Sequence, residues 1–347
     1  MPAKNLTQPA IWFPAIQAGS GADVYTERLA AALEARGIRT EITWLPHRAE
    51  YAPWTVSVLK PPDWANVVHI NSWLHRRFLP SNLPLVVTLH SCVHDLALKP
   101  YKSWQQRLYH RCWIKACEAE TLRQADTVIA VSHYTAKQAS EVFRCTNIVP
   151  IYNWIDIESF QPIERQAPNK PFRLLYVGSL KRLKGADLLL TIMRQLGNDF
   201  ELRYTGSKEE LCSASVLPPN IIPLGRLEGS TDLVEAYQAC DALLFPSRLE
   251  GFGLVALEAQ SCSLPVIATN GSSLPEVVED GKTGLLCPMN DINAFVNAAK
   301  TLYNHKHIWL RMRTAARNRA ITLFSEEKAI RHYLQCYETT LSERVIQ

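Results

Sequence analysis

At 347 residues, 47% of them hydrophobic and 20% charged, the chain is too long for one ordinary domain and has the material for two packed cores, which excludes a disordered or fibrous class. No apolar run approaches the roughly 20 residues of a membrane span, and nothing before Phe13 has the apolar stretch of a secretory leader. The net charge of +4 is modest, and the nine cysteines, odd in number and never spaced C-x-x-C, favour neither a disulfide framework nor a zinc site, so reduced thiols in a cytoplasmic protein are expected.

In chain order, Gly19-Ser-Gly21 opens the first helix-like stretch, Ala22 to Arg36, which Gly37 can terminate. The β-branched runs Val67–Ile70, Leu85–Leu89 and Thr127–Val131 suit strands buried on both faces. Between Leu45 and Lys115 nine Lys/Arg face three Asp/Glu, and tryptophans interleave with them. That excess fits either a solvated face or an anionic partner: a phospholipid surface, a lipid-linked acceptor or a charged glycan, with no nucleic acid expected. Asp156 to Pro171, polar, proline-bearing and without periodicity, reads as a linker.

A second series follows. Phe172–Val177 makes a strand, Gly178–Gly185 a loop and Ala186–Leu196 a helix; Leu202–Gly206, Ile221–Gly225, Ala242–Pro246 and Pro265–Thr269 read as further strand ends. The expected organisation is an acceptor-binding unit over 1–160, a donor-binding unit over 171–324, and a last helix, Ser325 to Ser342 within 325–347, that packs back on the first unit. Strands alternating with helices indicate α/β architecture with parallel sheets, in two Rossmann-like units.

The chemistry concentrates in Pro246-Ser-Arg-Leu-Glu-Gly-Phe-Gly-Leu-Val-Ala-Leu-Glu258. A strand ends before Ser247, and a helix starts at Leu254. Gly251 and Gly253 remove side chains where a ligand would meet Cβ atoms, and the N–H groups from Phe252 to Val255 carry the positive end of the helix dipole, a seat for a diphosphate. Glu250 and Glu258 flank that seat and can accept hydrogen bonds from sugar hydroxyls. Two acids around a turn, taken alone, are equally a capped loop.

Several motifs in order change that balance. Pro246 to Ala259, Pro265-Val-Ile-Ala-Thr and Pro275-Glu-Val-Val-Glu-Asp-Gly-Lys-Thr-Gly-Leu-Leu resemble the retaining glycosyltransferases of family 4, with the E-x7-E motif intact. The resemblance implies a GT-B fold, two Rossmann-like domains facing each other across a cleft, and a UDP- or GDP-sugar donor as substrate rather than a cofactor. It assigns Glu250 to the hydroxyls of the transferred sugar, the amides of Phe252, Gly253 and Leu254 to the distal phosphate, Glu258 to the ribose, and Lys184 to the leaving phosphates. Gly178, Ser179, Gly206 and Arg226 line the same donor site; Ser179 stands where the family often has Arg, and Arg182 is the substitute cation. In the first half Gly19 and Gly21 resemble the loop that approaches the donor phosphate, and His90 the histidine that positions the transferred sugar. Ser132 and Asn153 fall on the acceptor side, although Trp154 replaces the glycine of the family's Asn-Gly-Val-Asp segment.

The implied reaction is transfer to a hydroxyl of a glycan or lipid-linked acceptor with retention, the leaving phosphate assisting removal of the acceptor proton. No Asp-x-Asp pair is present, so metal independence is expected. His90, His94 and Asp95 form an alternative metal set by spacing. A sugar phosphorylase, a nucleotide-sugar epimerase and a non-catalytic nucleotide-sugar-binding subunit are the competing functions. The basic, aromatic first half suggests peripheral association with the inner face of the cytoplasmic membrane.

Overall fold

A computed structural model describes residues 8–211 and 217–344. Contacts group the described residues up to Tyr152 with those from Glu326 onward, and Asn153–Ser325 separately.

The first unit is built on six parallel strands: β1 (Ile11–Gln17), β2 (Thr40–Pro46), β3 (Val67–Asn71), β4 (Leu85–Leu89), β5 (Thr127–Ala130) and β6 (Ile148–Pro150). They lie in the order β2-β1-β3-β4-β5-β6. The apolar runs form the centre because every residue of β4 and the first four of β3 are buried, as strands covered on both faces must be. The edge strand β2 is only partly covered, with Leu45 alone buried in Thr-Glu-Ile-Thr-Trp-Leu-Pro. Helices α1 (Gly21–Glu34), α2 (Trp104–Tyr109), α3 (Lys115–Gln124) and α4 (His133–Phe143) connect these strands, with a π turn at His110–Ile114 joining α2 to α3.

The second unit repeats the scheme with β7 (Phe172–Tyr176), β8 (Phe200–Tyr204), β9 (Ile221–Pro223), β10 (Ala242–Phe245), β11 (Val266–Thr269) and β12 (Gly284–Cys287), all parallel. Its helices are α5 (Ala186–Leu196), α6 (Lys208–Leu211), α7 (Gly229–Ala239), α8 (Leu254–Ser261), α9 (Leu274–Val277), α10 (Ile292–Asn304) and α11 (Lys306–Leu323). The order β12-β11-β10-β7-β8-β9 reverses direction between β7 and β10. In open parallel sheets ligands bind outside the carboxyl ends of the strands at such a reversal. The loops leaving β7 and β10 are therefore the ones to inspect.

The stretch Asp156–Pro171 is irregular, but it is a strap rather than a free linker. Arg317 donates to the carbonyls of Ile157 (3.0 Å) and Phe160 (2.7 Å), Arg313 donates to that of Ile163 (2.8 Å), and Arg165 pairs with the buried Asp241 (2.5 Å). Composition alone hides such fastening, because the arginines that provide it lie far along the chain on α11.

The last helix, α12 (Glu326–Arg344), groups with the first unit. Its inner face is polar as well as aromatic. The Tyr25 hydroxyl donates to that of Tyr333 (2.5 Å), and the ring nitrogens of the buried His69 bond the hydroxyls of Tyr337 (2.6 Å) and Thr88 (2.7 Å). Thr340 meets Thr127 at 2.6 Å, and Glu326 pairs with Arg36 at 3.0 Å. Every one of those partners belongs to α1, β3, β4 or β5 or follows directly on α1, so α12 closes the core of the first sheet. No helix among the described residues is long and apolar enough to cross a membrane.

Candidate active site

Two loops meet at the reversal of the second sheet. Leaving β7, the chain passes Gly178 (φ +142°) and a short turn, Arg182–Lys184, before Gly185 (φ +74°) starts α5. Gly185 is obligatory on two counts, its left-handed backbone and its position, since a Cβ there would collide with the carbonyl oxygen of Pro246. The β7 loop thus lies directly against the loop leaving β10.

That contact brings Lys184 to Glu250. The Lys184 ammonium is 2.6 Å from Glu250 Oε1, which also accepts from the Ser247 hydroxyl at 2.7 Å. The Glu250 backbone is pinned as well: its N–H donates to Ser272 Oγ (3.0 Å), and its carbonyl accepts from Ser273 Oγ (3.0 Å). Gly253 then caps α8 with φ +100° and no side chain; its carbonyl accepts from Ala256 N (3.0 Å), which leaves the N–H groups of Leu254 and Val255 without an intrahelical acceptor. A lysine, a carboxylate and a helix N-terminus therefore converge at one sheet reversal. The lysine and the helix end offer positive charge to a phosphate, and the carboxylate offers acceptors to hydroxyls.

Glu258, 8% exposed, accepts from the Tyr237 hydroxyl at 2.9 Å. Burial, and then the nearby Glu258 charge, push the Tyr237 phenol well above its ordinary range, so it stays a donor. Phe252 is buried edge-on against Phe324, and Leu254 opens the helix. Gly178 N–H donates to Thr205 Oγ1 (3.0 Å); the Ser179 carbonyl accepts from the Tyr176 hydroxyl (2.7 Å), its side chain exposed. Gly206 takes φ +114°, a backbone that favours glycine, beside the Leu180 and Glu210 side chains. Arg226 is exposed in the loop after β9.

Arg182 is not brought into this cluster. Its side chain is 78% exposed and leans towards Asp187 at 3.9 Å. The guanidinium that organises the site belongs to Arg248. It is 5% exposed, forks onto both Asp187 oxygens (2.6 and 2.9 Å), donates to Asn290 Oδ1 (2.7 Å) and reaches the carbonyl of Arg182, while its backbone N–H donates to Leu183 O (3.0 Å). Arg248 therefore ties the Lys184 turn to the Glu250 loop. Sequence reasoning passed over it because it stands in a variable-looking slot between Ser247 and Glu250. The only signal was an arginine two residues before a functional acid.

In the first unit, His90 follows β4, and its Nε2 lies 2.7 Å from Asn71 Oδ1 at the end of β3. That oxygen only accepts, so Nε2 carries the proton and Nδ1 is left as an acceptor. Tyr25 sits edge-on at 4.4 Å, and burial lowers the imidazole to about 4. His90 is thus neutral at physiological pH. Asn71 and Tyr25 were absent from the sequence reading. Gly19 (φ +65°) and Gly21 are exposed in the turn before and at the start of α1. The amides of Ala18 and Gly19 both donate to Asp23 Oδ2 at 2.8 Å, so this loop is folded by the chain's own carboxylate. Burial works against the Asp23 charge, and the bonds from Ser20, Ala18 and Gly19 outweigh it, holding the carboxyl below its usual range.

The two acceptor-side residues fall in different units. Ser132 is fully buried, and its hydroxyl accepts from Thr135 N (3.0 Å) to cap α4. Asn153 groups with the second unit, 8% exposed, its Oδ1 buried without a hydrogen-bond partner among the described residues. The alternative metal set also separates: His90 bonds Asn71, His94 pairs with Glu118 at 2.9 Å, and Asp95 accepts from Tyr134 and Ala97 N.

Comparison with known proteins matches both parts of the chain. Residues 44–159 match the family model described as Glycosyltransferase Family 4, and residues 158–320 match Glycosyl transferases group 1. An uncharacterized 41.2 kDa protein in the cps region of Klebsiella pneumoniae is 30% identical over 248 residues, 69% of this chain and 67% of that protein. Among solved structures, sucrose-phosphate synthase from Thermosynechococcus elongatus superposes with a TM-score of 0.76 at 21% identity, over 97% of this chain and 100% of that one. HepE from Anabaena in complex with UDP gives 0.72 at 18% identity, over 95% and 100%. Two models of one enzyme class, met in sequence along a doubled parallel-sheet fold, carry the conclusion that this chain belongs to the family 4, group 1 glycosyltransferases and has their GT-B fold.

Proposed function

We propose that the protein transfers a sugar from a UDP- or GDP-sugar to a hydroxyl of a glycan or lipid-linked acceptor, with retention of anomeric configuration, in the assembly of a surface polysaccharide or glycolipid. The observation that carries the reading is the Lys184–Glu250 pair at 2.6 Å beside the N-terminus of α8. A donor diphosphate seated on that helix competes with Glu250 for the Lys184 ammonium. The exchange frees Glu250 to receive sugar hydroxyls and leaves Lys184 against the phosphates, where charge develops as the glycosidic bond breaks. Arg248 holds the two loops in place for that exchange, and Tyr237 holds Glu258 for the ribose.

No side chain in this scheme needs to be a strong base. The neutral His90, with Nδ1 as acceptor, suits a sugar hydroxyl, and the leaving phosphate oxygen takes the acceptor proton. Charge offset by Lys184 and a helix N-terminus does the work that a divalent cation does elsewhere, so the reaction is assigned as metal-independent. HepE was solved with UDP, which supports a uridine donor; the relative from a cps region supports a role in polysaccharide assembly.

The test is a melting screen against UDP, GDP and ADP and their glucose and mannose conjugates, followed by product analysis with the nucleotide sugar that binds. A shift with one nucleotide family, nucleotide release in excess chelator and an axial-to-axial product are expected. A shift with glucose 1-phosphate and none with any nucleotide would overturn the reading in favour of a phosphorylase.

A further inference from the structure

The connection from β4 to α3 contains both His90 and a segment that the core does not use. Helix α2 buries none of its residues, although a complete capping box at Ser103 and Gln106 fixes its start. Trp104 is 71% and Leu108 56% exposed, one turn apart, and Leu96 just before them is 83% exposed. Arg107 and Arg111, also one turn apart, form an adjacent row, with exposed Lys99 and Lys115 at either end. From Leu96 to Lys115 there are five Lys/Arg and no Asp or Glu. Of the five, Lys102 turns inward to the carbonyl of Val93; the other four have no ion-pair partner among the described residues.

A second segment widens the patch. Trp113 Nε1 donates to the carbonyl of Glu50 (2.7 Å), and Tyr109 donates to its carboxylate (3.0 Å). These bonds fasten the segment that carries exposed Tyr51 and Trp54, with the Trp54 ring 6.2 Å from that of Trp113. The only acid of that segment is thus engaged on the helix.

We infer that α2 and the Tyr51–Trp54 segment are a docking surface for an anionic lipid bilayer. Ordered helix, exposed Trp and Leu, and flanking unpaired cations are what the headgroup boundary accommodates: rings and Leu side chains enter the acyl edge while arginines stay with the phosphates. A protein interface would bury four charges that the chain gives no partner, and a nucleic acid would have no use for Leu96 and Leu108. The inference deepens the acceptor reading and rests on it in one respect: a membrane-borne acceptor gives the docking a purpose, because His90 opens the same connection.

Flotation with vesicles of phosphatidylcholine, alone or mixed with phosphatidylglycerol, tests it directly. The protein is expected on the mixed vesicles only, with binding weakened by salt. Arg107→Glu with Arg111→Glu and Lys115→Glu should weaken partition about 100-fold; Trp104→Ser with Leu108→Ser should weaken it while keeping the salt dependence. Circular dichroism and nucleotide melting shifts should stay those of the wild type, since these side chains are exposed. Equal partition of wild type and charge variant, or no binding to mixed vesicles, overturns the inference. A wild-type dimer abolished by the Trp104/Leu108 variant also overturns it and assigns the patch to self-association. Vesicle partition and nucleotide shift are read separately, so failure of docking leaves the donor reading standing, and the reverse.

Discussion

At the scale of single residues, the Lys184–Glu250 pair and Arg248 illustrate two different uses of charge. Lys184 and Glu250 are 30% and 12% exposed in their side chains, so breaking this half-buried pair costs on the order of 1 to 2 kcal/mol, between a surface and a buried pair. Lys184→Met and Glu250→Gln should each lower turnover by about 100-fold or more, as the loss of a charge-stabilising group does, with only a modest drop in melting temperature; steady-state rates beside melting curves check this. Arg248 is the converse. Arg248→Met strips the Asp187 carboxylate, Asn290 and the Arg182 carbonyl of a buried donor, and should destabilise by about 2 kcal/mol as well as lower the rate. Arg248→Lys restores charge but not the fork and should recover only part of both. A Met variant with wild-type stability and rate would remove Arg248 from the positioning role.

At the scale of elements, the glycines at helix entries decide whether the loops can close on one another. Gly185→Ala meets the Pro246 carbonyl, backbone against backbone, and should unfold the second unit or push the β10 loop away from Lys184. Gly253→Ala, with its Cβ 2.9 Å from Leu274 Cδ2 and φ at +100°, should cost on the order of 1 to 2 kcal/mol and weaken the nucleotide melting shift. Denaturant midpoints with and without UDP separate the two effects. The elements themselves were legible to different degrees. The strands β3, β4, β5, β7 and β10 announced themselves as β-branched or apolar runs because both faces are covered. The edge strand β2 did not, since it is only partly covered and mixes Thr, Glu and Pro with Ile42, Trp44 and Leu45. The Glu250 turn was readable because glycine, acid and helix start are chain neighbours. Tyr237, Asn71, Asp187 and Asn290 were not, because each reaches its partner only after the sheet has formed.

For the whole molecule, acid stability follows from buried imidazoles. Burial lowers His69 to about 3, with the neighbouring His90 adding to it, and lowers His90 itself to about 4, against 6.5 in the unfolded chain. A depressed histidine stabilises the fold above its unfolded value and loses that contribution as pH falls, because the unfolded chain takes up the proton first. Melting temperature should therefore drop as pH is lowered from 6.5 towards 4, with little change from 6.5 to 8 on account of these groups. His69→Asn, though destabilised at neutral pH, should show a flatter descent; an equally steep one would place the acid sensitivity in other groups.

Because α12 supplies Tyr333 and Tyr337 to a sheet whose strands all precede Tyr152, synthesis on the ribosome imposes an order on folding. The unit Asn153–Ser325 is continuous and can condense as soon as its final turn leaves the exit tunnel. The earlier-made sheet must wait for the Tyr333 and Tyr337 hydroxyls that complete the bonds of Tyr25 and His69, until α12 has emerged behind it. The half translated first is thus the half completed last.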